Sequence, residues 1–222
     1  MVKVKICGIA NLDDALVAVA CGADAVGFLV GQAYPSRSVF ISAEAAGRIV
    51  AKMPPFCSTV LVTHLGRPGE VIMAARTARV TTIQLHGETE PDEADAIRQH
   101  LPNVKVYKVV HVLGKTALAE ARRFLGKVDG IVLDTADKST GQVGGTGQVH
   151  DWRISQRIAR SLPMPVILAG GLNPTNVQEA IRVVGPYAVD VNSGVSRPDG
   201  KKDRRKLKLF IQRVLQTGSR HR

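Results

Sequence analysis

Aromatic residues are scarce in this chain, at 4% of 222 residues, and there are only three cysteines. No apolar run reaches the roughly 18 residues that cross a bilayer, which excludes a transmembrane helix. The N-terminal stretch "MVKVKICGIAN" has no apolar signal-peptide segment, so the expected compartment is the cytoplasm. Cys7, Cys21 and Cys57 are odd in number and far apart, which argues against a disulfide framework. No CxxC or HExxH occurs and the six histidines show no ligand spacing, so no metal is expected. The GxGxxG fingerprint is missing after the first apolar run, which weakens a dinucleotide-binding reading. No cofactor is expected.

Charge of one sign is plentiful, but it is unevenly placed. The net charge is +11, and the segment from Lys201 to Arg222 holds nine basic residues against one acid, Asp203. That segment reads as a helix with a solvated basic face, and its apolar stripe is drawn from Leu207, Leu209, Phe210, Ile211, Val214 and Leu215. A short frayed end, "TGSRHR", follows. No aromatic residues interleave with the charges, as a single-strand binder would need. The distribution therefore argues against a nucleic-acid partner.

Short apolar runs alternate with amphipathic ones from end to end. Eight strand-like runs ("VKVKI", "AVGFLV", "STVLVT", "VTTIQL", "VKVYKVV", "GIVLD", "PVILAG", "AVDVNS") are each followed by a helix-like segment. Asn11 and Ser42 fit helix N-caps, and Gly22 and Gly185 fit helix ends. Strand–helix alternation gives parallel βαβ units. A count of eight selects a (β/α)8 TIM barrel, an α/β fold, over an open sheet. No linker or composition break divides the chain, so residues 1–222 are expected to form a single domain.

Chemistry in such barrels sits at the C-terminal ends of the strands. Cys7 ends the first strand and Asp134 ends the sixth. Cys7 has two readings, a small buried hydrophobe or a thiol facing a pocket. An acid and a base on separate strands suit an isomerase that moves a proton without a cofactor. A thiol becomes a base only where its thiolate is favoured, and a carboxyl holds a proton near neutrality only where burial raises its pKa. Gln84 and His86 share one face of the fourth strand and reach the mouth if that face is the interior. Arg37, in "YPSRSVF", could hold a substrate carboxylate. After the seventh strand come Gly170 and Gly171, with Asn173 placed to cap the next helix; after the eighth come Ser193 and Gly194. Barrels often bind phosphate between these two loops. The longest loop, "TADKSTGQVGGTGQVH", follows Asp134, and a loop of that length is usually a lid or disordered.

These residues resemble a known family, the phosphoribosylanthranilate isomerases of tryptophan biosynthesis. The resemblance rests on "VKICG", "GADAVGF", "QLHGE", "LDT", "GGTG" followed by "DW", "LAGGLNPTNV" and "VDVNSGV", in the family's order, from Val4 to about Asp203. It implies an Amadori rearrangement of N-(5′-phosphoribosyl)anthranilate. It implies Asp134 as the general acid, Cys7 as the general base and Arg37 near the anthranilate carboxylate. Gly171, Ser193 and Gly194 would cradle phosphate, with Asp190 near the sugar hydroxyls. Gly144, Gly145, Thr146 and Gly147 would belong to a lid. The partner is then a phosphorylated small molecule, with the chain a monomer or homodimer.

Three stretches depart from the family pattern. The segment 31–40 is lengthened around Arg37, Thr63 and His64 stand where Phe and Asn are usual, and Ser196 replaces an acid. Two other readings stay open on these grounds: a paralogue acting on another phosphorylated sugar, and a non-catalytic phosphate-ligand-binding protein.

Overall fold

The apolar runs become strands buried on both faces, as a parallel sheet covered by helices requires. The computed structural model describes residues 1–31, 39–135 and 149–218. Eight strands and eight helices alternate among them. The first half runs β1 (Lys3–Ile6), α1 (Leu12–Ala20), β2 (Ala25–Val30), α2 (Ala43–Val50), β3 (Ser58–Thr63), α3 (Pro68–Ala78), β4 (Thr82–Leu85) and α4 (Pro91–His100). The second half runs β5 (Lys105–His111), α5 (Ala117–Arg123), β6 (Gly130–Asp134), α6 (Trp152–Ser161), β7 (Val166–Leu168), α7 (Val177–Val184), β8 (Ala188–Val191) and α8 (Arg204–Gly218). All neighbouring strands pair in parallel, and β8 returns to β1 with Lys5 opposite Asp190, closing the barrel. The expected fold class is the observed one.

Alternation along each strand makes two apolar layers. Outward residues such as Ile6, Phe28, Leu61, Ile83 and Leu133 are fully buried against the helices. Inward residues form two smaller clusters, Val109, Val132, Ile167, Ala169 and Ala188 on one side, and Cys7, Leu29, Val60 and Val62 on the other. Polar side chains share that interior: Lys5, Gln84 and Asp190 are all buried. The barrel centre is therefore a place where charge must be paired, not a plain hydrocarbon core.

The local signals hold at most helix ends. Asn11 accepts from the Asp14 N–H at 2.8 Å, Ser42 accepts from the Ala45 N–H at 3.1 Å, and Gly185 takes the left-handed C-cap conformation. Asn173 does not cap α7. Its Oδ1 closes a turn by accepting from the Thr175 N–H at 2.8 Å, and α7 starts only at Val177. The C-terminal stripe is also narrower than expected. Leu207, Phe210, Ile211 and Val214 are buried at helical spacing, whereas Leu209 and Leu215 are exposed. The basic face is solvated except for Lys202, which is buried just ahead of α8. Among the described residues no helix is long and apolar enough to cross a membrane.

Candidate active site

Three consecutive inward positions explain how the site is built. Lys3, Lys5 and Cys7 lie two residues apart along and just beyond β1, so their side chains share a face. Lys3 emerges at the bottom, pairing with Asp24 at 2.8 Å, while Lys5 lies inside the barrel. The Lys5 ammonium donates to Asp190 Oδ2 at 2.6 Å and also reaches the Cys7 sulfur. Room for both comes from Gly27 on β2, where an added Cβ would lie 3.1 Å from Cys7 Sγ and 3.1 Å from Lys5 Cε.

Above this pair a cavity opens at the C-terminal ends of the strands. Cys7 and Asp134 both line it, together with Gln84, His86, Asp190, Gly170, Gly171 and Ser193. The structure thus brings eight of the residues expected from sequence to one opening. Gly194 lies just behind Ser193 in a 3₁₀ turn, Ser193–Val195, pressed against the backbone of Leu172 and Asn173. Arg37 and the four lid residues Gly144, Gly145, Thr146 and Gly147 lie outside the described residues.

The two ionisable groups are shifted by different balances. Burial pushes the Asp134 carboxyl up to about 7, against the Thr135 N–H, which donates to its Oδ1 at 2.7 Å. Burial also pushes the Cys7 thiol above its ordinary 9.0, and the Lys5 and Lys202 cations oppose that rise. Lys202 is anchored where it can do so: its ammonium donates to Asn192 Oδ1 and Ser196 Oγ, each at 2.9 Å. His86 approaches Asp134 Oδ2 at 3.7 Å, but burial holds the imidazole well below 6.5 and so neutral. That contact is neither a salt bridge nor a hydrogen bond.

Several buried polar atoms facing this opening have no partner among the described residues: Gln84 Oε1, Asp190 Oδ1 and both ring nitrogens of His86. Native interiors rarely leave such groups unpaired, so they mark where a polar ligand would bond. Asp190 gives one oxygen to Lys5 and keeps the other for the cavity. On the β7–β8 rim, Gly170 and Gly171 both adopt positive φ, +82° and +65°, as successive turn residues beside a ligand often do. The 3₁₀ turn beginning at Ser193 directs its first N–H groups out of its N-terminal end, a favourable direction for an anion. The opposite rim carries Phe40 and His64, with ring centroids 6.0 Å apart. His64 and His86 follow at 4.6 Å.

Sequence reasoning passed over Lys5, Phe40, Asn192 and Lys202, and gave His64 only as a departure from the family pattern. The signal for Lys5 was present in "VKVKIC": strand parity puts it on the face of Cys7. Lys202 offered no such signal, since it stands among basic residues that are solvated.

A parallel eight-stranded barrel carrying its perturbed acid and thiol at the strand C-termini is, by class, a (β/α)8-barrel enzyme. The model for PRAI, N-(5′-phosphoribosyl)anthranilate (PRA) isomerase, matches residues 4–213, and the chain belongs to that family. A relative from Methanosarcina mazei named N-(5′-phosphoribosyl)anthranilate isomerase 2 is 43% identical over 212 residues, covering 96% of this chain and 93% of that protein. A crystal structure of phosphoribosyl anthranilate isomerase with reduced 1-(o-carboxyphenylamino)-1-deoxyribulose 5-phosphate matches with a TM-score of 0.82 at 36% identity, covering 97% of this chain and 100% of that one. A structure of monomers of the dimeric isomerase from Thermotoga maritima matches with the same score, identity and coverage, 0.82, 36%, 97% and 100%.

Proposed function

We propose that this chain converts N-(5′-phosphoribosyl)anthranilate to 1-(o-carboxyphenylamino)-1-deoxyribulose 5-phosphate, an Amadori rearrangement in tryptophan biosynthesis. The observation that carries the reading is a single opening lined by Cys7, Asp134 and the Gly170–Gly171 and Ser193 loops. The substrate's phosphate sits on the β7–β8 rim, against Gly170, Gly171, Ser193 and Gly194. Asp134 on β6 and Cys7 on β1 flank that rim, so the sugar carbons lie between them. The aromatic end then points to the far side, over Phe40 and His64, where Arg37 takes the carboxylate.

Asp134 gives its proton to the furanose oxygen as the C1′–O bond breaks, and the nitrogen lone pair closes the C1′–N iminium. The Cys7 thiolate removes the C2′ proton, and those electrons quench the iminium to an enolamine. Tautomerisation moves a proton from the C2′ hydroxyl to C1′ and leaves the ketone. Asp190 Oδ1, Gln84 and His86 hold the sugar hydroxyls, satisfying atoms that otherwise have no partner. Lys5 lowers the cost of the buried thiolate, since a cation beside a thiol favours its ionised form. Gly144, Gly145, Thr146 and Gly147 belong to a cover that excludes water from the iminium.

The reading takes residues 1–222 as one barrel domain working in the cytoplasm, as a monomer or homodimer. Two exposed aromatic rings at the N-terminal face support the dimer: Phe56 is 100% exposed and Tyr187 53%, beside a cavity that both line together with Lys3 and Asp24.

Turnover of phosphoribosylanthranilate by the purified chain, followed by loss of the substrate's fluorescence, tests the assignment. Asp134→Asn should lower the rate by roughly 10²–10⁴, the usual scale for a general acid. A well-folded chain without turnover would move the assignment to another phosphorylated sugar.

A further inference from the structure

His150 touches neither the cavity nor its polar lining, yet it is bonded on both sides. Its Nδ1 is 3.0 Å from Thr135 Oγ1, and its Nε2 is 2.6 Å from Ser155 Oγ. Ser155 is fully buried on α6, and Thr135 follows the last residue of β6. The imidazole is neutral near pH 7, because burial holds its pKa down to about 4. A neutral ring has one donor and one acceptor, and either tautomer satisfies both hydroxyls. Thr135 in turn donates its N–H to Asp134 Oδ1 at 2.7 Å. From the other side Gly170 lies flush against Thr135, where a Cβ would collide with its Oγ1 and N and come within 3.0 Å of the same carboxyl oxygen.

We propose that His150 is a positioning residue for the general acid: held by Ser155 on α6, it fixes Thr135, whose N–H fixes the direction of the Asp134 carboxyl. This rests on the acid role given to Asp134 above. The carboxyl has few other restraints. His86 at 3.7 Å makes no hydrogen bond to it, and the charges of Asp190 on β8 and Lys5 on β1 act on it without a direct bond. His111 on β5, the strand partner of Asp134, is a further titratable neighbour, which burial keeps neutral near pH 7, and the Asp151 carboxylate acts on His150 itself.

Two conservative variants of the full chain separate bracing of the acid from simple support of α6. An asparagine amide reproduces the position of Nδ1, and a glutamine amide that of Nε2. His150→Asn therefore keeps the Thr135 bond and drops Ser155, while His150→Gln keeps Ser155 and drops Thr135. The expected result is a kcat near the parent's for His150→Asn, with a lowered melting temperature from the orphaned Ser155 hydroxyl. His150→Gln should lose about tenfold in kcat with KM little changed, as a loosened catalytic group does.

A second readout needs no turnover. In ¹³C spectra with Asp134→Asn as the assignment control, the Asp134 titration should move to higher pH in His150→Gln and stay in place in His150→Asn. The shift is upward because a loosened Thr135 N–H bond favours the carboxylate less. Equal kcat in the two variants, or the reverse order, with an unmoved titration would overturn the proposal. A moved titration in a chain that does not turn over phosphoribosylanthranilate would leave the bracing standing and remove only the substrate.

Discussion

At the level of single residues, the site depends on what small side chains leave out. Gly27 is one case: its missing Cβ is the space in which Cys7 Sγ and Lys5 Cε lie side by side. An added methyl at 3.1 Å from both must displace the sulfur, the ammonium stem or the strand. Gly27→Ala should therefore cut kcat/KM by about tenfold or more, because a thiolate moved by a fraction of an ångström misses its carbon. Stability should fall by only about 1–3 kcal/mol, the usual cost of one extra methylene in a packed interior. Wild-type kinetics in a folded Gly27→Ala chain would show that the sulfur's place is not set from β2. Cys7, Gln84, His86 and Asp134 were legible in the sequence because each ends or nearly ends a strand, and strand ends face the mouth, whereas Asp190 came only from the family resemblance. Lys5 was not legible by type, since a lysine is read as solvated. Only the parity it shares with Cys7 placed it inside.

At the level of elements, the strands were legible because most of their residues on both faces are apolar, as in "VLV" or "GIVLD". The helices were legible from caps and stripes, but their starts were less so. The run "NPTNVQEAIRVVG" reads as one helix, yet its first residues form turns, because Asn173 spends its side chain on Thr175 rather than on α7. The same loop choice presents Gly170 and Gly171 to the cavity. In α8, six apolar residues between Leu207 and Leu215 suggested a wide stripe. Geometry buries only the i, i+3, i+4, i+7 set from Leu207 to Val214 and leaves Leu209 and Leu215 outside. Ahead of that helix, Lys202 ties the β8 loop by bonding Asn192 and Ser196. A local pattern shows that a segment is helical; which of its ends is given up to a site depends on neighbours far away in sequence.

At the level of the whole molecule, titration links the site to stability. His111 and His150 are held to about 4 in the folded chain, and His86 is held well below its ordinary 6.5. On unfolding they return toward 6.5, so between about pH 6.5 and pH 4 the unfolded chain binds more protons at these three sites. Asp134 acts in the opposite sense, because its folded value near 7 exceeds the ordinary 3.8. These three histidines, with His64 also held low by burial, outweigh the one carboxyl and leave the unfolded state the better proton binder in that window. The melting temperature should therefore fall as pH is lowered from about 6.5 toward 4, and thermal melts at graded pH check the sign.

The catalytic pair itself needs Asp134 protonated and Cys7 ionised. Burial pushes the carboxyl up to about 7 and the thiol above its ordinary 9.0, so the productive form is the minority one. The most direct measurement is the pH dependence of kcat/KM in Asp134→Asn, where the acid is permanently neutral and, below the Lys202 titration at about 8, the thiol governs the rate. With Cys7 as the base, the residual rate should climb about tenfold per pH unit from pH 6 to about pH 8, following the thiolate, with no inflection near 7. A residual rate that stays flat to pH 9 and then falls would mean that the sulfur works as a thiol, contradicting the account.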